Sequence, residues 1–436
     1  MIGRAGHWKN WGGNQRATPA AVDEPRSLLE VVESVEAAAS VGQTVKVVAS
    51  GHSFSDVAVT SGRMMRIGAL DRVVAINRDA MTATVEAGIP LWRLNDELAK
   101  RGLALSNLGD IDRQTIAGAT STGTHGTGIN YGSIAAAIVG LELVTGSGEV
   151  VRCSATEEPE IFACARVGLG VLGVVTQLTL QCEPLFKLRA IEIPKLWDEF
   201  LVEWDEYVDT NDHVDCYWFP HTDVCTIKTS NRTDDPIRTR RGYKKWKSDI
   251  YYGNIRHGLN AFAGRRRPER IPELAAEMVA GFHRTERVDL SYNVFCTTRL
   301  VRFVEMEYAI PRASMGDGLR AIRALIEREH LLVDFPIEIR GIGADDIPLS
   351  MASDRETCYL AVHLSTGTPN EAYFHGVEAI MDGLGGRPHW GKMHFQTAST
   401  LAPRYPEWER FAAVRRQLDP DGRFASAYAD RVLGAP

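Results

Sequence analysis

The sequence predicts an α+β protein, because helical and strand patterns alternate along the chain. Apolar residues recur at helical spacing over residues 23–41, after the start signal Asp23-Glu24-Pro25. An apolar run at 45–49 predicts a buried strand, and the proline-opened segment 90–101 predicts a second helix. This alternation excludes an all-α and an all-β architecture.

Further elements follow from the same patterns. We predict strands at 63–67, 70–77, 81–87 and 174–182, and a hairpin formed by 138–145 and 149–153. Beyond Glu183-Pro184 the chain is richer in tryptophan and long polar loops, and the predicted elements there are strands at 300–310, 337–341 and 357–364 and helices at 315–330 and 371–382. This change in character divides the chain into two predicted domains, 14–185 and 186–436.

Composition narrows the class of protein. Of the 436 residues, 49 are Lys or Arg and 56 are Asp or Glu, so the formal net charge of −7 argues against a nucleic-acid-binding protein. The basic residues within 238–247 and 264–268 are predicted to form a solvated loop. Seven isolated cysteines indicate reduced thiols. The sequence has no apolar run of membrane-spanning length and no secretion signal in residues 1–11, so we predict a cytoplasmic protein.

The first functional motif follows the predicted strand at 45–49 and reads Ser50-Gly51-His52-Ser53-Phe54-Ser55-Asp56. Glycine permits positive φ at such a turn, and successive backbone N–H groups can then point into one concavity that seats a pyrophosphate. His52 would lie beside the bound group as a potential nucleophile.

A second motif, within residues 106–128, is dominated by glycine and small hydroxyl residues. This composition is typical of a backbone that passes close to a ligand, and a flexible linker is the alternative. A later pattern, Gly168-Leu169-Gly170-Val171-Leu172-Gly173, has GxGxxG spacing, but it precedes a predicted strand instead of opening a helix. We therefore reject a Rossmann interpretation.

A third motif, Glu338-Ile339-Arg340, lies on a predicted strand, where period two places Glu338 and Arg340 on one face. They are either a surface ion pair or part of an active site. Near the end of the chain, His389 and His394 are expected to lie on opposite faces of a strand, so no metal site is predicted.

Four stretches of the sequence resemble a known family. Residues 50–56, the 118–128 stretch and Gly173-Val174-Val175-Thr176 resemble the FAD-binding domain of the vanillyl-alcohol oxidase superfamily. His389-Trp390-Gly391-Lys392 resembles the HWxK signature of its sugar-1,4-lactone oxidase branch, which includes the alditol oxidases. The resemblance implies a two-subdomain FAD-binding domain and an α+β cap domain with an antiparallel sheet.

The resemblance also implies which residues contact FAD. The expected cofactor contacts are Ser50, Gly51, His52, Ser53, Phe54, Ser55, Asp56, Gly109, Asp110, Thr115, Gly118, Ala119, Ser121, Thr122, Thr124, His125, Gly173, Val174 and Val175. His52 is expected either to be bonded covalently to the flavin 8α-methyl or to pack beside it. Gly109 matches a position at which glycine tends to admit O₂ to the flavin, which favours an oxidase.

Catalytic and substrate roles are implied in the same way. Lys392 is expected to be desolvated with a lowered pKa and, with Arg340, to hold the reacting oxygen. Glu338 is expected to orient them and is a candidate acceptor of the proton through this network, but the sequence does not assign the base. Asp110, His363 and His389 are expected to contact substrate, and for His363 a core position is the equal alternative.

The resemblance implies an FAD enzyme that oxidises an aldono-1,4-lactone such as L-gulono-1,4-lactone at its C2 hydroxyl. Hydride would pass to flavin N5 and the electrons to O₂ or another acceptor. The alternative is an alditol oxidase that acts on xylitol or sorbitol and produces H₂O₂. The joint presence of Glu338, Arg340 and Lys392 argues against a non-enzymatic flavin- or sugar-binding protein.

Overall fold

A computed structural model describes residues 7–238, 263–264, 266–297 and 301–435. Residues 240–247 and Arg265 of the predicted basic loop lie outside the described residues, as do Leu300 at the start of a predicted strand and residues 1–6. Within the described ranges the protein combines helices with parallel and antiparallel sheets, so the predicted α+β class is confirmed.

The first part of the chain forms two principal sheets. The strands are β1 (Trp8–Lys9), β2 (Arg16–Ala17), β3 (Ala21–Asp23), β4 (Val45–Val48), β5 (Arg63–Arg66), β6 (Val73–Asn77), β7 (Thr82–Glu86), β8 (Leu103–Ala104), β9 (Ile138–Val144), β10 (Val150–Ser154), β11 (Val174–Gln181) and β12 (Glu183–Pro184). Strands β3, β5 and β4 form a parallel sheet, and a second sheet has the order β10-β9-β11-β7-β6. The helices of this part are Leu28–Ser40, Leu91–Ala99, Ile116–Ser121 and Pro159–Ala165.

The second part is built on one antiparallel sheet. Its strands are β13 (Lys187–Leu196), β14 (His213–Trp218), β15 (Val224–Arg232), β16 (Thr285–Leu290), β17 (Phe303–Pro311), β18 (Ile337–Ile342), β19 (Thr357–Ser365) and β20 (Arg387–Pro388). Their order is β16-β13-β15-β14-β18-β19-β17-β20. The helices here are Trp197–Thr210, Ile271–Val279, Ser291–Phe295, Met315–Arg328 and Glu371–Gly383. The predicted antiparallel sheet is therefore confirmed.

Two large hydrophobic clusters form the core of these parts. One contains the apolar side chains of the first two sheets, and the other lies between the large sheet and helices such as Met315–Arg328. The C-terminal helices Ala398–Leu401, Trp408–Leu418 and Ala427–Leu433 contribute Leu401, Phe411 and Val432 to the first cluster. The end of the chain thus packs against the sheets formed by its beginning.

Local signals explain the element bounds. The helix predicted at 23–41 begins at Leu28, because the Ser27 side chain accepts a hydrogen bond from the Glu30 N–H and caps it. Strand β11 alternates buried and half-buried residues as predicted, and the Gly168–Gly173 pattern leads into it. The predicted strand through His389 and His394 is wrong, because β20 ends at Pro388 and a turn follows. No helix among the described residues is both long and apolar enough to cross a bilayer.

Candidate active site

A cavity of about 410 Å³ lies where the large sheet meets the loops of the first part. Strands β17, β18 and β19 are neighbours in that sheet, and Glu305 lies directly opposite His363 in the register. Because side chains alternate between the faces of a sheet, residues spaced by two on each strand point to the same side. The ionisable residues of these three strands that line the cavity are Glu305, Glu307, Glu338, Arg340 and His363, and the turn after β20 adds His389 and Lys392.

Arg340 lies at the centre of a buried ionic network. Its Nη2 lies 2.7 Å from Glu338 Oε1, and its Nε donates to Asp215 Oδ1 at 2.9 Å. The other oxygen of Asp215 accepts from Lys228 Nζ at 3.0 Å, and the Tyr217 hydroxyl donates to Glu338. Burial opposes the charge of Arg340, but the two carboxylates outweigh it and raise the pKa of the guanidinium. Glu338 and Arg340 therefore form a buried pair on one face and not a surface ion pair.

Lys392 is held by two carboxylates of β17. Its ammonium pairs directly with Glu305 and lies 3.8 Å from a carboxylate oxygen of Glu307. Burial alone would lower the pKa of Lys392, but the two carboxylates outweigh it and raise the pKa above the usual value. The expectation of a lowered pKa is wrong, because the motif alone did not reveal the acidic residues on the neighbouring strand.

Two histidines pair with the same carboxylates. His363 Nε2 lies 3.3 Å from Glu305 Oε1, and His125 Nε2 lies 3.2 Å from Glu307 Oε1. His125 also stacks on Tyr359, with ring centroids 3.6 Å apart. His363 thus lines the cavity and is paired with Glu305, and its contact with a substrate stays a prediction.

His389 accepts a hydrogen bond from the Gly391 N–H at its Nδ1 (3.0 Å), and burial lowers its pKa to about 3. His394 does not lie with it, because its Nε2 bonds to the Tyr428 hydroxyl at 3.2 Å. Among the described residues, two sets have potential metal-ligand atoms within 4.8 Å of one another: His125 with Glu307 and His389, and Glu305 with Glu338 and His363. Lys392 competes for the carboxylates of both sets.

A second cavity of about 100 Å³ continues from the first along the turn that follows β4. Both cavities are lined by His52, Ser53, Gln114 and Thr122, so they form one elongated groove. Gly51 has φ of +70° at this turn, the conformation for which glycine was predicted. The predicted contacts that line the second cavity are Ser50, Gly51, His52, Ser53, Thr115, Gly118, Ser121, Thr122, Gly173 and Val175.

Other predicted cofactor residues lie elsewhere. Phe54, Gly109, Asp110, Thr124 and His125 line the first cavity. Ser55 donates to the Trp390 carbonyl at 2.8 Å, and Asp56 pairs with Arg431 at 3.0 Å, so both join the turn to the C-terminal part of the chain. Neither they nor the buried Ala119 and Val174 line the groove, and a cofactor role for these four stays a prediction.

The N-terminal segment completes the wall beside His52. The Trp11 ring stacks on His52 with centroids 5.5 Å apart, and the Trp11 N–H donates to the Gly51 carbonyl at 2.7 Å. Burial, followed by the charges of Lys392 and Arg113, lowers the pKa of His52 to about 4. His52 is therefore a neutral imidazole at neutral pH, the form in which its nitrogen is a nucleophile.

Comparison with known proteins assigns the chain to a family. A family profile described as D-arabinono-1,4-lactone oxidase matches residues 178–432, and one described as FAD binding domain matches residues 19–154. An L-gulono-1,4-lactone dehydrogenase of Mycobacterium tuberculosis is 44% identical over 429 residues, which covers 98% of this chain and 99% of that protein. The chain belongs to the sugar-1,4-lactone oxidase family.

Two further relatives are similar over nearly the whole chain, and a solved structure has the same fold. The L-gulonolactone oxidase of Bos taurus is 34% identical and covers 98% of each chain, and the D-arabinono-1,4-lactone oxidase of Kluyveromyces lactis is 34% identical over 96% of this chain and 94% of its own. A solvent-stable cholesterol oxidase shares the fold, with a TM-score of 0.82, 19% identity and coverage of 99% of this chain and 98% of that one. This sugar-1,4-lactone oxidase family member is an FAD-dependent oxidoreductase.

The groove of this family member fits FAD. Its narrow part follows the glycine turn at Gly51, whose backbone would hold the pyrophosphate, and its wide part contains the charged sheet residues. His52 stands where the two parts join, so it would lie beside the flavin ring end of the cofactor. Thr115, Ser121 and Thr122 offer hydroxyl groups along the narrow part.

Several residues of the site belong to no sequence motif. Glu305 and Glu307 alternate with apolar residues on β17 and share one face of the strand with Phe303. Two acidic residues on a buried strand are unusual, and this pattern could have indicated them as site residues. Asp215 and Lys228 are paired only through strand register, and Trp11 only through packing. Asp215, Lys228 and Trp11 are distant in sequence from every motif, so local patterns gave no means of placing these three residues.

Proposed function

We propose that this protein oxidises an aldono-1,4-lactone of the L-gulono-1,4-lactone type at its C2 hydroxyl. The observation that carries the proposal is the convergence of Arg340 and Lys392, each charged and held by carboxylates, on one cavity beside the groove that fits FAD. The names of the relatives, L-gulono-1,4-lactone dehydrogenase and D-arabinono-1,4-lactone oxidase, support a lactone as the substrate.

Oxidation of a secondary alcohol removes a hydride from carbon and a proton from oxygen. When bound, FAD would supply the hydride acceptor at N5, and the electron pair would go on to O₂ or another acceptor. The chain's part is to bind the hydroxyl oxygen between Lys392 and Arg340, whose charges stabilise the developing alkoxide. Glu338 orients Arg340 through its 2.7 Å contact, and Asp215 fixes the opposite side of the guanidinium.

The sugar ring has polar partners on the other side of the cavity. Asp110 lines the cavity, and its carbonyl accepts from the Thr297 N–H at 2.7 Å, which fixes the loop that carries it. Gly109 precedes it, and a Cβ there would lie 3.2 Å from the His125 carbonyl oxygen. We propose that Asp110 contacts the substrate hydroxyls and that the absence of a side chain at Gly109 admits O₂.

Initial-rate measurements with L-gulono-1,4-lactone, D-arabinono-1,4-lactone, xylitol and sorbitol test this function. Each substrate is assayed with O₂ and with an artificial electron acceptor, so that the substrate class is measured independently of the acceptor. We expect kcat/KM for a lactone to exceed that for both polyols. A higher kcat/KM for xylitol or sorbitol, with H₂O₂ formed, would replace the lactone proposal with an alditol oxidase.

A further inference from the structure

The oxidation requires an acceptor for the hydroxyl proton, and the cavity wall allows that group to be identified. Strand β17 presents Glu305 and Glu307 to the cavity, each about 4% exposed. A buried carboxylate is costly unless it is paired, so two of them on one strand require cations beside them. Lys392 supplies one cation, and its side chain keeps 22% of its surface exposed.

The cations of the site are unsuitable as final proton acceptors. Arg340 stays protonated at all pH values at which enzymes work. Lys392 is held as an ammonium by Glu305 and Glu307, so it has no lone pair for an additional proton. Each stabilises negative charge on oxygen, but neither can retain the proton that leaves it.

His363, the histidine that faces Glu305, is also occupied. His363 Nδ1 lies 3.1 Å from the Pro336 carbonyl and its Nε2 lies 3.3 Å from Glu305, so both ring nitrogens face oxygen acceptors and the ring is satisfied as an imidazolium. The groups that face His363 from the packed elements are Glu305 of β17, Glu338 of β18 and Lys392 of the turn after β20. Burial opposes the charge, but Glu305 outweighs it and raises the pKa of His363.

Among the carboxylates, Glu305 has the favourable position. Its Oε1 faces His363 and its Oε2 pairs directly with Lys392, the cation that is partly open to the cavity. Glu307 is 3.8 Å from Lys392 and pairs instead with His125, while Glu338 is engaged by Arg340 and the Tyr217 hydroxyl. Asp110 is the rival, because it also lines the cavity.

We propose that Glu305 is the acceptor of the substrate's hydroxyl proton, that Lys392 connects it to the substrate, and that His363 orients it. An Nζ–H bond of Lys392 breaks first and its proton goes to Glu305 Oε2, which leaves a lone pair on Nζ. The substrate's O–H bond then breaks and its proton goes to that lone pair, so Lys392 ends as an ammonium and Glu305 as a neutral acid. The electron pair left on oxygen forms the carbonyl bond as the C–H hydrogen leaves as hydride. Because this step is the alcohol oxidation proposed above, the inference rests on the proposed function.

Steady-state kinetics of the holoenzyme with Glu305→Gln test the proposal. Glutamine keeps an oxygen for Lys392 but cannot take up a proton, so we expect kcat to fall about 100-fold or more while KM changes less than about threefold. Glu305→Asp should recover part of kcat, with a larger solvent isotope effect. Glu378→Gln is the matched control: it replaces a buried carboxylate that pairs with the Tyr308 hydroxyl outside the cavity, and its kcat should stay near wild type.

A second readout does not depend on turnover. In ¹⁵N-histidine NMR, with the His363 signal assigned through His363→Gln, the Glu305→Gln variant should lower the pKa of His363. A Glu305→Gln enzyme with kcat within threefold of wild type overturns the proposal, as does a loss of kcat in Asp110→Asn that Glu305→Gln does not share. If Glu305→Gln does not fold with FAD, an unchanged kcat and isotope effect in Glu305→Asp overturns it. If the wild-type enzyme acts only on polyols, the lactone proposal is refuted but the Glu305 proposal is not. The same variants, assayed with xylitol as substrate, then test the role of Glu305.

Discussion

At the scale of single residues, burial sets the chemistry of His52. The side chain lies where the two cavities join, beneath the stacked ring of Trp11, and its pKa of about 4 leaves it neutral above pH 5. A neutral imidazole held against the flavin end of the groove has a lone pair available for a bond to the electrophilic 8α-methyl. Lys392, by contrast, is kept charged by Glu305 and Glu307.

We propose a covalent bond between FAD and His52, and acid precipitation of the purified wild-type protein is then expected to leave the yellow colour in the pellet. His52→Ala should release the colour into the supernatant, whereas Trp11→Phe, which retains an aromatic ring over position 52, should keep it in the pellet. The measurement is the flavin absorbance of both fractions. Release of the colour by the wild-type protein would show that His52 is a non-covalent contact.

At the scale of elements, the cavity is made where loops of the first part contact strands of the second. The loop that carries Gly109 and Asp110 packs directly against Gly126, where a Cβ would lie against Asn107 Oδ1 and the Leu108 carbonyl oxygen. On the other side, the His389 N–H donates to the Glu307 carbonyl and the Met393 N–H to the Glu305 carbonyl, both at 2.9 Å. The turn carrying Lys392 is thus attached to β17 by its backbone.

Gly126→Ala should therefore disturb both the segment that carries Gly126 and the loop that leads to Gly109 and Asp110. We expect overpacking to cost about 1–3 kcal/mol of folding free energy and to reduce the FAD content of the purified protein. The matched control is Gly383→Ala at the end of the helix Glu371–Gly383, where no atom lies within 4 Å of the added Cβ. The thermal midpoint and the flavin-to-protein absorbance ratio are measured for both variants. Equal values would contradict a close contact between the loops.

At the scale of the whole molecule, buried neutral histidines connect protonation to folding. Burial lowers the pKa of His52 and His213 to about 4 and that of His389 and His394 to about 3. The unfolded chain, with an ordinary histidine pKa of about 6.5, binds protons at a higher pH than the folded protein does. The contribution of these four histidines to the free energy of unfolding is therefore fully present above pH 6.5 and is lost as the pH falls from there toward 4.

His394 allows this to be measured away from the cavity, because it contacts Tyr428. Between pH 6 and 5 each such histidine should contribute about 1.4 kcal/mol per pH unit to the slope of unfolding free energy. We expect His394→Asn to reduce the slope by about that amount and the control His283→Gln, at an exposed position, to leave it unchanged. Urea denaturation at several pH values gives the slope. A His394→Asn slope equal to wild type would contradict the assignment.

The sequence by itself determined the α+β class, the glycine turn after β4, the pairing of Glu338 with Arg340 on one strand face, and the family. Each is a local property: an apolar period, a turn composition or a short motif acts through neighbours within a few residues. The tertiary structure alone decided the charge of Lys392 and the position of Trp11 over His52. It also placed Glu305 opposite His363, and both Glu305 and Glu307 beside Lys392. Those properties depend on strand register and on side chains up to 182 positions apart, as for His125 and Glu307, and electrostatic energies depend on distance in space and not along the chain.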